Sequence, residues 1–447
     1  MMVLRACFTS TALACFWPAF LLAGEFAYRG DAREIFAADM RHDDPAERFV
    51  ESNLHLFAEG RYTSGGWSAT ASLLGRVEVM APRGTKTRYR VDLYEAYIRR
   101  SGGDWAFEGG ERVLRWGVME YLSPTDALNP HDFSQLTDPD VEDRYLPVPM
   151  LRIVAEPEPW TLEAVYQPFF RASRIDWAGT DAAVYRPSLT SHFGLPFVDF
   201  SQVVGGSAED HLSGLVARDP DDNPAKGDAG ARISWRSGDL DLSAVYLYKR
   251  DPLPTFNFSN GAQALNPAGL TPSAALLADQ GFFPRAHLAG GTLRWVFDSG
   301  FTLKGEGLYK SNASFYDAQL FLVREPELQW TAGIDYDWNL QHLFTVEYAQ
   351  DRAVHSGGRS FFARDRVQHL LSAAAILNFD ARTWSVEFKG TTIVNQHAYF
   401  IDPRLLYRPT PPWEFALGAN FWGGFGNSLF GLISNNDEIF VSAKYFF

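Results

Sequence analysis

Hydrophobic and polar positions alternate with a period of two along much of the chain. Over residues 67–80, Trp67, Ala69, Ala71, Leu73, Gly75, Val77 and Val79 make one face. Ser68, Thr70, Ser72, Leu74, Arg76 and Glu78 make the other. That period belongs to a β-strand whose two faces meet unlike surroundings. The same pattern runs through residues 54–62, 301–309, 330–338 and 384–392. No stretch after Ala23 has the apolar length of a spanning helix; the longest, 369–379, is short and contains Ser372 and Asn378. A soluble sandwich turns its apolar face inward. A barrel in lipid turns it outward and lines a wet lumen with the polar one.

The punctuation favours the barrel. Short Gly- or Pro-rich turns are followed at once by an aromatic residue: Trp67, Trp105, Trp160, Phe301, Trp384 and Trp413. An aromatic at the same end of alternate strands is what an interfacial girdle requires. The other connections are long and polar: residues 117–148, 170–227, 250–285, 310–327 and 423–437. Counting back from Phe447 to Val50 gives about 17 strands. Residues 25–38 supply one more, so the pattern predicts an all-β, antiparallel transmembrane barrel of about 18 strands, with 16 as the alternative. A barrel of that size encloses an aqueous interior rather than a packed one. Its short turns would be periplasmic and its long loops extracellular.

The two ends agree with export. Residues 1–23 read as a signal peptide: Arg5 precedes an apolar run, and Ala23 is small enough for cleavage. Residues 24–447 then form a single barrel domain. Both cysteines, Cys7 and Cys15, lie in the leader, so the mature chain would hold no disulfide, thiol nucleophile or Cys-ligated metal. In the last strand Ile439, Val441, Ala443, Tyr445 and Phe447 form an apolar face. A closing strand of this kind, with Tyr445 and Phe447 as its signature, resembles the signal that barrel assembly machinery recognises; a buried last strand of a soluble sandwich is the alternative.

The net charge of −14, from 40 basic and 54 acidic residues, excludes a basic nucleic-acid binder. No catalytic constellation or cofactor motif emerges, and the chain reads as a non-enzyme. The pair His211 and Ser213 lacks a third group and falls in a loop. The acidic run Asp219, Asp221 and Asp222 lacks the glycine and closing Glu of a calcium loop. Candidate chemistry is therefore that of a pore. The loop 117–148 is long enough to fold into the lumen and narrow it. Its carboxylates Asp138, Asp140, Glu142 and Asp143, with Arg144, would face cations on the wall and orient charged solutes. The wall-facing charges include Arg76, Glu78, Arg112, Arg152, Arg232, Arg294, Glu306 and Glu387, with Lys304, Glu347 and Lys389 among the others.

One block carries a more specific resemblance. Asp92-Leu-Tyr-Glu-Ala-Tyr97 leads through Trp105-Ala-Phe-Glu-Gly-Gly-Glu-Arg-Val-Leu-Arg-Trp-Gly117 to Asn129-Pro130, Leu146-Pro-Val-Pro-Met150 and Leu162-Glu-Ala-Val-Tyr-Gln-Pro-Phe169. It resembles a family of large, mostly uncharacterised, porin-like outer-membrane barrels of proteobacteria, distantly similar to alginate-export-type barrels. In that family an Arg-Gln-x-x-x-Trp-Gly strand end feeds a long loop; here Glu111-Arg112 stands in place of Arg-Gln. The resemblance covers roughly residues 92–169 and names no substrate. The polar inner face and the strand number, rather than the resemblance, point to a passive or weakly selective channel for hydrophilic solutes in the outer membrane of a Gram-negative bacterium. Partners implied are outer-membrane lipid and lipopolysaccharide, the assembly machinery, and either further copies of the chain or a periplasmic protein. A dedicated export or trans-envelope conduit is the alternative, with an outer-membrane hydrolase behind it.

Overall fold

The computed structural model describes residues 24–40, 50–81, 86–134, 144–176, 223–257, 279–317, 321–355, 361, 364–424, 428–432 and 436–447. Residues 1–23, read above as a signal peptide, lie outside them. The described chain forms strands β1 (Glu25–Asp39), β2 (Val50–Ser64), β3 (Trp67–Ala81), β4 (Lys86–Gly102), β5 (Trp105–Arg112), β6 (Val148–Ala155) and β7 (Trp160–Gln167). These are followed by β8 (Asp228–Ser237), β9 (Leu240–Arg250), β10 (Thr255–Asn257), β11 (Asp279–Phe282), β12 (Arg285–Val296), β13 (Phe301–Tyr316) and β14 (Leu322–Trp338). The chain closes with β15 (His342–Ala353), β16 (Val367–Phe379), β17 (Trp384–Ile393), β18 (Ala398–Tyr407), β19 (Trp413–Gly423) and β20 (Glu438–Phe446).

All except β10 and β11 belong to one antiparallel sheet of 18 strands, each paired with its neighbours in sequence, β9 pairing with β12 across the small β10–β11 hairpin. The sheet closes on itself because β1 pairs with β20 as well as with β2. The seam ends in two backbone hydrogen bonds of 2.9 Å each, between Gly30 and Phe447. Closure leaves no free sheet edge, which is the condition for a sheet to cross lipid.

The polarity is inside out. On β3, Leu73 is 52% exposed, while its neighbours Ser72 and Leu74 are buried and point inward. Leu56, Leu303, Ile334, Val386, Phe388, Leu405, Leu417 and Val441 are likewise exposed on the outer face. Trp67, Trp105, Trp160, Phe301, Trp384 and Trp413 open their strands at the short-turn end, all exposed. Arg76, Glu78, Glu108, Glu163, Lys304, Glu306 and Glu347 are covered inside. An outer surface this apolar needs an apolar solvent.

Two expectations need correction. Residues 310–327 are mostly not a loop: β13 continues through Tyr316 and β14 begins at Leu322, with a register shift between Lys310 and Ala313 that bends the pair. The inner wall is not uniformly polar. Val148, Met150, Val165, Val245, Leu247, Ala286, Leu288 and Leu308 face inward from β6, β7, β9, β12 and β13 and form an apolar patch.

Candidate functional site: the segment folded into the lumen

That apolar patch is covered by chain arriving from β5. The strand ends at Arg112, and the chain then leaves the wall. Gly110 marks the change: its φ of +142° is closed to an L side chain, and a Cβ there would lie 2.1 Å from the Ala96 carbonyl oxygen. Leu114, Trp116 and Leu128 then pack onto the inward-facing Val and Leu side chains of the wall. Trp116 is 1% exposed. Burying large apolar groups against the barrel provides the docking energy, of the order of 1.5–3 kcal/mol per side chain.

Polar contacts hold the segment in one conformation. Asn129 Oδ1 accepts from the Leu114 amide at 2.8 Å, and its Nδ2 donates to the Arg112 and Leu146 carbonyls at 2.9 Å each. One side chain thus ties the way in to the way out. Asp126 accepts from Arg115 Nε at 2.6 Å, from the Trp116 amide at 3.2 Å and from the Tyr145 hydroxyl at 2.9 Å. Burial works to lower the Arg115 pKa, but the Asp126 contact outweighs it and holds the guanidinium charged. Burial, helped by Asp126, raises the Tyr145 phenol.

The tip reaches the far side of the barrel. Glu306 on β13 accepts from the amides of Val118 (2.5 Å), Met119 (2.7 Å) and Thr125 (3.1 Å), and from the hydroxyls of Ser123 and Thr125. Glu347 on β15 accepts from the amides of Glu120, Tyr121 and Leu122 at 2.7, 3.0 and 2.9 Å. Thr331 on β14 donates to the Leu122 carbonyl at 2.8 Å. Round the ring from β5, passing β6, β7, β8, β9 and β12, β13 is the sixth strand and β15 the eighth of 18. The contact to β15 is therefore nearly diametric. Gly117 permits the tight approach, since a Cβ there would fall 1.8 Å from Ser123 Oγ. Glu347 is 0% exposed, with Lys304 Nζ at 3.4 Å. A hydrogen bond from an amide to a carboxylate is stronger than one to a neutral acceptor.

A cationic wall flanks the root of the segment. Arg99, Arg112 and Arg152 converge on Glu108, with Arg99 and Arg152 both at 2.9 Å. Arg152 and Arg232 converge on Glu163 at 3.0 and 3.1 Å, and Trp116 Nε1 donates to the same carboxylate at 2.7 Å. A second anchor forms where Asp132 meets Arg174 at 2.5 Å, with Arg76 and Arg90 at 3.7 and 3.8 Å. Burial pushes the Asp132 carboxyl up, but Arg174 and Ser134 outweigh it and hold it below the usual carboxylate range. Lys249 donates to the Ala127 and Leu128 carbonyls from β9.

The predicted residues therefore divide. Arg76, Glu78, Arg112, Arg152, Arg232, Glu306 and Glu387 do face the lumen, and Arg294 faces it beside Asp241 at 3.8 Å, half-exposed. Asp138, Asp140, Glu142 and Asp143 lie outside the described residues, as do His211, Ser213, Asp219, Asp221 and Asp222. Arg144 lies on the returning chain, its carbonyl accepting from the Asp132 amide at 2.6 Å. The carboxylates seen facing Arg76, Arg112 and Arg152 are Asp132, Glu108 and Glu163. Tyr445 and Phe447 lie on the outer face, Tyr445 against the Trp413 ring at 4.9 Å. Sequence reasoning missed Asp126, Asp132 and Asn129 as loop anchors. It placed Glu306 and Glu347 on the wall without seeing what they grip.

The architecture matches solved barrels. The crystal structure of Pseudomonas aeruginosa OccK5 (OpdH) superposes with a TM-score of 0.51 at 8% identity, covering 94% of this chain and 98% of that one. Pseudomonas aeruginosa OccK8 (OprE) gives 0.51 at 11% identity, over 95% and 98%. Similarity at this level establishes the closed barrel fold. No curated protein matches the chain. The model of one family matches residues 84–400, a span far wider than the 92–169 block that carries the resemblance in the sequence. The chain belongs to that family, described as Protein of unknown function (DUF1302).

Proposed function

We propose that the protein is a porin-like channel of the outer membrane of a Gram-negative bacterium, passing small hydrophilic solutes through a lumen narrowed by the segment after β5. The observation that carries this is the anchorage of residues 118–122 on Glu306 and Glu347, almost a full diameter from where the segment leaves the wall. A solute must pass beside that bar. The solved barrels of like architecture support the placement. On one flank, among the described residues, stand Arg99, Arg112, Arg152 and Arg232 against Glu95, Glu108 and Glu163, an excess of one positive charge. A confined excess of one sign selects for counter-ions, so the channel favours anions weakly.

Planar-bilayer recording tests this. The expected result is a small ohmic conductance with a reversal potential shifted toward the anion in a salt gradient. No conductance, either from the intact chain or after deletion of residues 117–128, overturns the open-channel reading. One observation favours the second reading, a conduit that works with a periplasmic partner. The inward-facing Arg33, His55, Arg76 and Glu78 on β1–β3 are almost completely covered, so that sector of the lumen is packed. The conduit reading predicts no conductance until a partner is added.

A further inference from the structure

The outer face of β14–β16 carries a cluster that a uniformly greasy surface would not need. Trp330 pairs across the sheet with Gln350, and Gln350 with His369. These residues share the outward parity of Ile334, Val346 and Leu371, which are exposed. Trp330 packs on Tyr348 with ring centroids 5.4 Å apart, and Trp330 Nε1 donates to Gln350 Oε1 at 3.3 Å. Tyr348 Oη and His369 Nδ1 are 2.6 Å apart. One pair further from the short turns, Arg352 sits between Leu328 and Val367, exposed. The Arg352 side chain makes no ion pair with another described residue. Arg366, next to Val367, donates to the Val354 carbonyl at 3.4 Å and lies opposite the inward-facing Ala353, so it stands outside this row. The nearby carboxylates are spoken for: Glu327 is buried on the inner face with Arg364 at 3.0 Å, and Asp365 accepts from Asn395.

The height is informative. Trp330 lies eight residues from Trp338, which is exposed at the short-turn end of β14. At about 3.3 Å per residue and a tilt of about 40°, that is roughly 20 Å along the barrel axis. Arg352, level with Leu328, lies at roughly 25 Å, the full height of the apolar band of such barrels. A guanidinium left unpaired at that level, above an aromatic shelf, meets lipid headgroups rather than hydrocarbon or bulk water.

We propose that this cluster is a binding site for the phosphorylated sugar headgroup of an outer-leaflet glycolipid, namely lipopolysaccharide. Arg352 takes the phosphate, for which the planar guanidinium fork is suited. Trp330 and Tyr348 give the sugar ring a flat apolar face, and Gln350 and His369 offer polar edges. Charge complementarity selects an anionic headgroup, and the aromatic shelf selects a sugar over a glycerol.

The proposal rests on the outer-membrane placement above and deepens it. The test uses the purified full chain in detergent, with lipid A as the probe, phosphatidylglycerol as an anion without sugar rings, and native mass spectrometry to count retained lipid. The expected result is retention of lipid A that survives excess phosphatidylglycerol. Arg352→Gln weakens that retention about tenfold, from the loss of charge-assisted bonds, and Trp330→Leu weakens it as well. Arg352→Lys keeps more than Arg352→Gln, because the charge remains. Bilayer conductance stays unchanged in every variant, since all the substitutions lie on the outer face. Displacement of lipid A by phosphatidylglycerol at equal charge, or equal retention by Arg352→Gln, overturns the site. An absence of conductance with retention intact counts against the channel reading alone.

Discussion

Glu347→Ala removes one of the two far-wall grips on the lumen segment. In the native barrel this carboxylate accepts three successive amides at 2.7, 3.0 and 2.9 Å. A bond to a charged acceptor contributes about 1.5–3 kcal/mol net of exchange with water. The three bonds share one carboxylate and are not additive, so a loss of about 2–4 kcal/mol is expected for them together. Lys304 is not orphaned, because Asp335 stays 2.9 Å away. With 1.4 kcal/mol per factor of ten, the undocked population of the tip rises about 30- to 800-fold. Single-channel recording reads this as larger conductance and added open-state noise. Glu306→Ala combined with Glu347→Ala goes further, since the Val118, Met119 and Thr125 amides then lose their acceptor too. Identical conductance and noise in wild type, single and double variants, with barrel closure verified by heat-modifiable gel mobility, would refute the idea that this segment limits passage.

Facing is tested by Phe388→Arg, four residues along β17 from Trp384 and so near the middle of the apolar band: the expected cost is about 2–4 kcal/mol in liposome unfolding, against less than half of that for Glu387→Arg on the inner face. Trp116→Phe keeps the ring packing but deprives Glu163 of the Nε1 bond of 2.7 Å; about 1–3 kcal/mol of loss is expected in denaturant titration. For Asp132, whose folded pKa is depressed, the stabilising contribution is complete above the unfolded carboxylate value of about 3.9 and disappears as pH falls through the folded value. Protease nicking of the 113–134 segment should therefore increase on acidification below about pH 4, and Asp132→Asn should already show that susceptibility at neutral pH; pH-independent nicking in the wild type would sink this account.

The barrel was legible because its signal is local. A strand of β3's length repeats its two-residue period often enough to be unmistakable, and Trp67 or Trp384 marks its end in the sequence itself. The lumen segment was legible only in outline. A run such as Asp138, Asp140, Glu142 and Asp143 attracts notice, whereas Asp126 and Asp132 stand singly and yet hold the observed contacts. Glu306 and Glu347 look like any other lumen carboxylate along their strands. What distinguishes them is a partner 181–188 or 225–227 residues away, and no periodicity encodes that separation. Leu288 and Leu308 pose the same difficulty, since an inward leucine on a barrel strand makes sense only once its cover is known.

That separation also fixes an order of events. The tip of the segment is synthesised long before β13 and β15, so neither of its acceptors exists when residues 118–122 first emerge. Docking of the tip therefore waits until β13 and β15 stand across the sheet from the root of β5.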